Sequence, residues 1–290
     1  MSATLAAPDA IEVPAAIGRL ALLGHPVAHS LSPRFQNAAL RAARIPLLYQ
    51  AVDVAPDALP AVLDGLVAAR AAGNVTLPHK EAVAVRCDRR TPLAERVGAV
   101  NTFWCTLDGR LVGDNTDVAG VDASVRALFD GAVPHGLRVA LLGAGGSAAA
   151  VLAAAESWPG AEVRIWSRTA TRAEALASRF PSVARAVADR ADVSRDADLV
   201  VNATPLGLRA DDALPVDPRA LGERSAVFDL VYRAGETAWV RAARARGLRA
   251  LDGLPMLIAQ GAASFERWFG VAPDLDVVWA AVGGRPLGVR

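Results

Sequence analysis

The chain has 290 residues, enough for one large or two medium domains; 53% are hydrophobic, and the formal net charge is +1. With no basic block, no aromatic-interleaved stripe and no apolar run of the roughly 18 residues a membrane span needs, nucleic-acid and membrane roles are excluded. Cys87 and Cys105 alone make neither a disulfide framework nor a thiolate-rich metal site, so the expectation is a cytoplasmic globular protein.

Residues 1–18 carry Pro8, Asp9, Glu12 and Pro14 and read as a loose tail rather than a signal peptide. "RLALLG" (19–24) is a buried strand. "SPRFQNAALRAARI" follows as a helix with Ser32 as N-cap and Pro33 at the first helical position. A strand over 47–54, a helix over 57–70, a strand end at "GNVT" (73–76), a helix after Pro78 and another near 91–97 come next. "AVNTFWCTL" and "RLVGD" form a strand pair around the Asp108–Gly109 turn. A helix from about 118 leads to "RVALLGAGGSAAAVLAAA", which is strand, glycine turn and alanine-rich helix. "AEVRIWSR" is a strand and "TRAEALASRF" a helix. "DLVVNATP" and "SAVFDLVY" are strands, "TAWVRAARARG" is a helix, "GLRALDG" a last strand, and "PMLIAQGAASFERWFG" an amphipathic tail. The alternation predicts a mostly parallel α/β protein of two domains with a cleft between them.

The glycine turn, Gly143, Ala144, Gly145, Gly146 and Ser147, has the strand-before, helix-after setting that cradles a pyrophosphate. An NAD site commonly ends its second strand with an acid that accepts from the ribose 2′-hydroxyl. This chain has Ser167, Arg168, Thr169 and Arg172 there, which predicts NADP(H) because guanidiniums clamp a 2′-phosphate and a carboxylate repels it.

Lys80 is the only lysine; the other thirty of the 31 basic residues are arginine. Lysine alone of the two gives up its proton near neutral pH when buried or crowded, so Lys80 is a candidate acid–base group; an ordinary surface cation is the competing reading. The five asparagines, at 37, 74, 101, 115 and 202, all stand in polar loops or at element ends. Ser30 and Ser32 beside a helix start suit a carboxylate. His25, His29, His79 and His135 lack a helical metal-ligand spacing, and no metal is expected.

The ordered motifs "GHPVAHSLSP", "NVTLPHK", "GAVNT", "GDNTD", "GAGGSA", "SRTATR", "NATPLG", "DLVY" and "GLPMLIAQ" resemble the shikimate dehydrogenase family over nearly the whole chain after the tail. The resemblance implies a substrate-binding domain over 19–117 plus 254–290, a Rossmann NADP-binding domain over 118–253, and reversible reduction of 3-dehydroshikimate to shikimate by a monomer or homodimer. It implies that Ser30 and Ser32 hold the substrate carboxylate with help from Tyr232. Asn74, Thr76, Asn101, Thr116, Asp117 and Gln260 would meet the ring hydroxyls, and Lys80 with Asp117 would be the catalytic pair. Gly143 to Ser147, Ser167 to Arg172, Thr204, Gly253 and Met256 would face NADP. Three positions depart from the pattern: Gln36 where the family usually has His, Ser167 where it has Asn, and Ala234 where it has Pro. An NAD-using quinate/shikimate dehydrogenase, a dehydrogenase for a folate derivative and a non-catalytic ligand sensor are rivals on the same fold.

Overall fold

The computed structural model describes residues 17–233 and 235–284, so Ala234 and most of the expected tail lie outside the described residues. The first half runs β1 (Arg19–Gly24), α1 (Ser32–Ala42), β2 (Tyr49–Asp53), α2 (Leu59–Ala68), β3 (Ala71–Val75) and α3 (Lys80–Arg86). β4 (Arg89–Arg90), α4 (Pro92–Val97), β5 (Thr102–Cys105) and β6 (Leu111–Asp114) complete it. Its sheet has the order β2-β1-β3-β5-β6-β4. Three of its five ladders are parallel; β5 runs antiparallel to β3 and to β6, to which the tight Asp108–Gly109 turn joins it as the expected hairpin.

Alternation along β1 sends Leu20 and Leu22 into one core, with Phe35, Trp104 and Phe265, and Ala21 and Leu23 into the other, with Leu63, Val75 and Phe103. Both faces are covered, which is why the strand reads as an unbroken apolar run.

The second half runs α5 (Asp117–Leu128), β7 (Arg138–Leu142), α6 (Gly146–Ala155), β8 (Glu162–Trp166), α7 (Ala170–Arg179) and β9 (Ala184–Ala186). It continues with α8 (Arg190–Ser194), β10 (Leu199–Asn202), β11 (Ala226–Asp229), α9 (Ala238–Ala245) and β12 (Arg249–Leu251). Its strands pair in the order β12-β11-β10-β7-β8-β9, all parallel. Counted from β7, this is the doubly wound arrangement whose order reverses between β7 and β10, so a crevice opens at the carboxyl ends of those two strands. Every residue of α6 from Ala148 to Ala155 is buried, as a helix enclosed on all sides requires.

α10 (Leu254–Phe269) leaves β12 of the second sheet and returns to the first, where Ile258, Phe265 and Trp268 enter the core of Leu20 and Phe35; α11 (Leu275–Ala281) closes the described chain. α10 crosses α5 at Gly120, where an added Cβ would stand 2.8 Å from the Met256 carbonyl oxygen. Only glycine permits so close a crossing. A second tie spans the halves: Arg96 of α4 forks onto Glu156 at 2.5 and 2.9 Å and donates to the Arg179 carbonyl at 2.6 Å. Its guanidinium also lies 3.9 Å from the Phe180 ring centroid.

Candidate active site

Lys80 opens α3 and Asp117 opens α5. The Lys80 Nζ donates to Asp117 Oδ2 at 2.5 Å, with the two side chains only 13% and 5% exposed. The other carboxylate oxygen, Oδ1, accepts from Asn101 Nδ2 at 2.8 Å. A carboxylate at a helix N-terminus is favoured by the helix dipole, so α5 and Asn101 together fix the acid that holds the lysine.

Asn101 stands behind this pair. Its Oδ1 accepts the Thr116 N–H at 2.7 Å. Its Nδ2 lies within hydrogen-bond reach of Asp117, Thr116 Oγ1 (3.0 Å) and Gln260 Oε1 (3.2 Å), three acceptors for two N–H bonds. Gln260 on α10 therefore shares the site with the β5 and α5 ends, although it lies 159 residues from Asn101.

Asn74, expected to meet a ring hydroxyl, stands on β3 beside Asn101. It is buried, its Oδ1 accepts from Tyr49 Oη at 2.7 Å, and its Nδ2 faces the Asn101 carbonyl, Thr102 Oγ1 and Ser264 Oγ. Its Nδ2 is shared among three protein acceptors, while Oδ1 has one of its two acceptor sites taken by Tyr49. Burial holds the Tyr49 phenol well above its ordinary range, and neighbouring Tyr232 adds to the effect. Thr76 is half-buried beside Gly24, where a Cβ would stand 2.5 Å from its Cγ2.

Ser32 is not the N-cap. Leu31 occupies that place with helical dihedrals and no side-chain bond, so the helix starts one residue earlier than the motif suggested. Ser30 Oγ accepts the Ser32 N–H at 3.2 Å, which leaves the Ser32 hydroxyl free of capping. The serine loop is pinned by Asp53, which binds the His25 ring at 2.5 Å and the Val27 N–H at 3.1 Å. The His25 hydrogen bond, then that of Val27, holds the Asp53 carboxyl below the usual range. His79 pins the lysine loop by donating from Nε2 to the Val54 carbonyl at 2.6 Å. Gln36, in the place of the family's usual His, donates to the Gly261 carbonyl at 2.9 Å.

The glycine turn lies across a cleft of about 780 Å³. Glu81, Ala84, Val85 and Arg90 form one wall, and Ala144, Gly145, Gly146 and Arg172 the other. Gly143 has φ +111°, and a Cβ there would stand 2.7 Å from the Ala203 carbonyl oxygen, so glycine is required on both counts. Gly145 caps α6 without any side-chain bond, which leaves the first-turn N–H groups, from Gly146 and Ser147 onward, for an anion. Arg168 and Arg172 are exposed just beyond β8, with Ser167 half-buried and Thr169 as N-cap of α7. No carboxylate lies within 4 Å of either guanidinium among the described residues. These groups fit a dinucleotide carrying a 2′-phosphate.

At the end of β10, Thr204 donates to Asn202 Oδ1 from N–H (3.1 Å) and hydroxyl (2.6 Å). Asp229 at the end of β11 accepts from Asn202 (2.8 Å), Thr237 (2.7 Å) and the Val231 N–H (3.1 Å), and so fixes the loop that carries half-buried Tyr232. Burial raises the Asp229 carboxyl, against the pull of the Thr237 and Asn202 hydrogen bonds. Gly253 begins α10 and donates to the Val231 carbonyl at 3.0 Å; Met256 is buried one turn on. Tyr49, Thr102 and Ser264 belong to the same polar cluster and were not legible in the sequence.

A family model for the shikimate dehydrogenase substrate binding domain matches residues 22–103, and one for the shikimate 5′-dehydrogenase C-terminal domain matches 253–282. The chain is 44% identical over 271 residues to a shikimate dehydrogenase (NADP(+)) of Thermus thermophilus, covering 93% of this chain and 99% of that protein. A solved shikimate 5-dehydrogenase from another strain of Thermus thermophilus, in complex with NADP(H) and shikimate, superposes with a TM-score of 0.80 at 41% identity, covering 91% of this chain and 98% of that one. A quinate dehydrogenase of Corynebacterium glutamicum in complex with NAD superposes with a TM-score of 0.82 at 30% identity, over 92% and 98% of the two chains.

Proposed function

The chain belongs to the shikimate dehydrogenase family, and from that premise we propose that it catalyses the reversible NADPH-dependent reduction of 3-dehydroshikimate to shikimate, with Lys80 and Asp117 as its acid–base pair. The observation that carries this is the 2.5 Å contact between those two side chains, at the start of a helix whose next residue, Glu81, lines the cleft facing the glycine turn.

Bound NADPH supplies hydride to the ketone carbon. Lys80, as ammonium, donates a hydrogen bond to the carbonyl oxygen, where negative charge grows, and then transfers its proton there. In the oxidative direction neutral Lys80 accepts that proton from the hydroxyl. Asp117 keeps Nζ aimed at the reacting oxygen. Asn101, Thr116, Thr76 and Gln260 orient the ring hydroxyls; Ser30 and Ser32 take the carboxylate, with Tyr232 closing from the opposite lobe. Gly143 to Ser147 hold the pyrophosphate, Ser167 to Arg172 the 2′-phosphate, and Thr204, Gly253 and Met256 the nicotinamide end.

We read residues 19–117 with 254–290 as the substrate lobe and 118–253 as the cofactor lobe of a cytoplasmic monomer or homodimer. No helix among the described residues is long and apolar enough to cross a membrane. The deciding experiment follows absorbance at 340 nm with shikimate and NADP⁺, with quinate and NAD⁺ as controls. Turnover highest with shikimate and NADP⁺ is expected; turnover only with quinate and NAD⁺ would reassign the enzyme, and none with any pair would leave a ligand sensor.

A further inference from the structure

Ser264 sits in the third turn of α10 and is fully buried. Its Oγ lies 2.8 Å from Asn74 Nδ2, 2.7 Å from Thr102 Oγ1, 3.0 Å from Thr116 Oγ1 and 2.9 Å from the Gln260 carbonyl. Those four partners come from β3, β5, the residue before α5, and α10 itself. A serine hydroxyl offers one donor and two acceptor sites for these four neighbours: it accepts from Asn74, and its single proton is shared among the Gln260 carbonyl one turn back and the two threonine oxygens. Thr102 in turn donates to Asn101 Oδ1 at 3.0 Å, and Asn101 donates to Asp117. A continuous chain of hydrogen bonds thus runs from Ser264 through Thr102 and Asn101 to the carboxylate that holds Lys80.

We propose that Ser264 is a positioning residue for the substrate end of the site, fixing Asn101, Thr116 and through them Asp117 while touching none of the reacting atoms. The proposal rests on the activity assigned above. It accounts for a buried hydroxyl on α10, a helix that sends Ile258, Phe265 and Trp268 into an apolar core. Removing the oxygen takes one of three acceptors from the Asn74 amide and one neighbour from Thr102 and Thr116, and these groups must share out their remaining partners, Asn101 among them, anew. The hydrogen-bond partners of Ser264 are Asn74, Thr102, Thr116 and Gln260, none of them assigned to the cofactor.

The test is steady-state kinetics of Ser264→Ala with shikimate and NADP⁺. A rise of roughly tenfold in KM for shikimate with a fall in kcat is expected, while KM for NADP⁺ stays within about twofold. Ser264→Cys keeps the size but hydrogen-bonds weakly; it gives the same split and serves where the alanine variant does not fold. Wild-type constants in either soluble variant, or a parallel rise in both KM values, overturn the proposal. A wild-type enzyme inactive on shikimate overturns the assigned function and this inference with it; an active wild type beside unchanged variants overturns this inference alone.

Discussion

At Lys80 the choice between lysine and arginine is one of proton chemistry rather than charge. Thirty arginines show that this chain meets its need for surface cations without lysine. Nζ, 2.5 Å from Asp117 and 13% exposed, is a compact donor that can release its proton; a guanidinium cannot at neutral pH. Lys80→Arg should therefore lower kcat by roughly 10²–10⁴-fold while KM for NADP⁺ moves little. Turnover near wild type would remove Lys80 from the reaction. The solitude of this lysine and the polar stretches around the asparagines pointed to candidate residues in the sequence, although Asn37 lies within α1, Asn74 within β3 and Asn202 at the end of β10 rather than in loops. Tyr49, Thr102 and Ser264 were not legible for a physical reason. Each is one hydroxyl with no periodic or local signature, and Ser264 meets partners 148 to 190 residues away. Asn74 was legible as polar, but only the fold could show that its Nδ2 is shared among Asn101, Thr102 and Ser264.

At the scale of the element, the junction of β8 and α7 is where the proposed reading places the choice of cofactor. Arg168 and Arg172 stand free of carboxylates there, and Arg172 lines the cleft wall. Arg168→Asp removes a guanidinium and puts a negative charge beside the expected 2′-phosphate. KM for NADPH should rise roughly 10- to 100-fold, in keeping with the worth of a charged hydrogen bond, with a far smaller change for NADH. Equal losses with both cofactors would detach the 2′-phosphate from this junction. Elements whose burial marks the sequence were readable: β1, β7 and α6 as unbroken apolar runs covered on all sides, and α10 from its one apolar face. The short ones were not. β4 is Arg89 and Arg90, exposed and paired with Val112 and Gly113; β9 is Ala184–Ala186 and exists through its ladder with β8. α8 has five residues, fewer than any periodic pattern needs, and α11 reads as an apolar run until Asp274 caps it through two N–H bonds.

For the whole molecule, the two cysteines report how tightly the lobes are bound into one unit. Cys87 and Cys105 lie in the same core of the first sheet, on the face away from α10. Burial pushes the Cys87 thiol up to about 12 and that of Cys105 up to about 11. An exposed thiol titrates near about 8.5, so the folded state keeps protons that the opened state loses. The raised values favour the folded state below about pH 8.5, and that advantage disappears as pH climbs through about 8.5 to 12, so opening becomes easier in alkali. In the folded state at pH 8 only about one Cys105 in a thousand is a thiolate, and labelling must pass through opening of this core. Opening the first lobe would disturb β3, β5 and the α5 end, which carry the proposed substrate site. A ligand bound there must then suppress labelling. Shikimate at about 100 times its Kd should slow iodoacetamide labelling of both thiols roughly 100-fold, read by mass spectrometry, with the rate rising between about pH 8.5 and 11. Unchanged labelling under saturating shikimate would mean that the thiol core opens without breaking the site, and that the first sheet does not behave as one cooperative body.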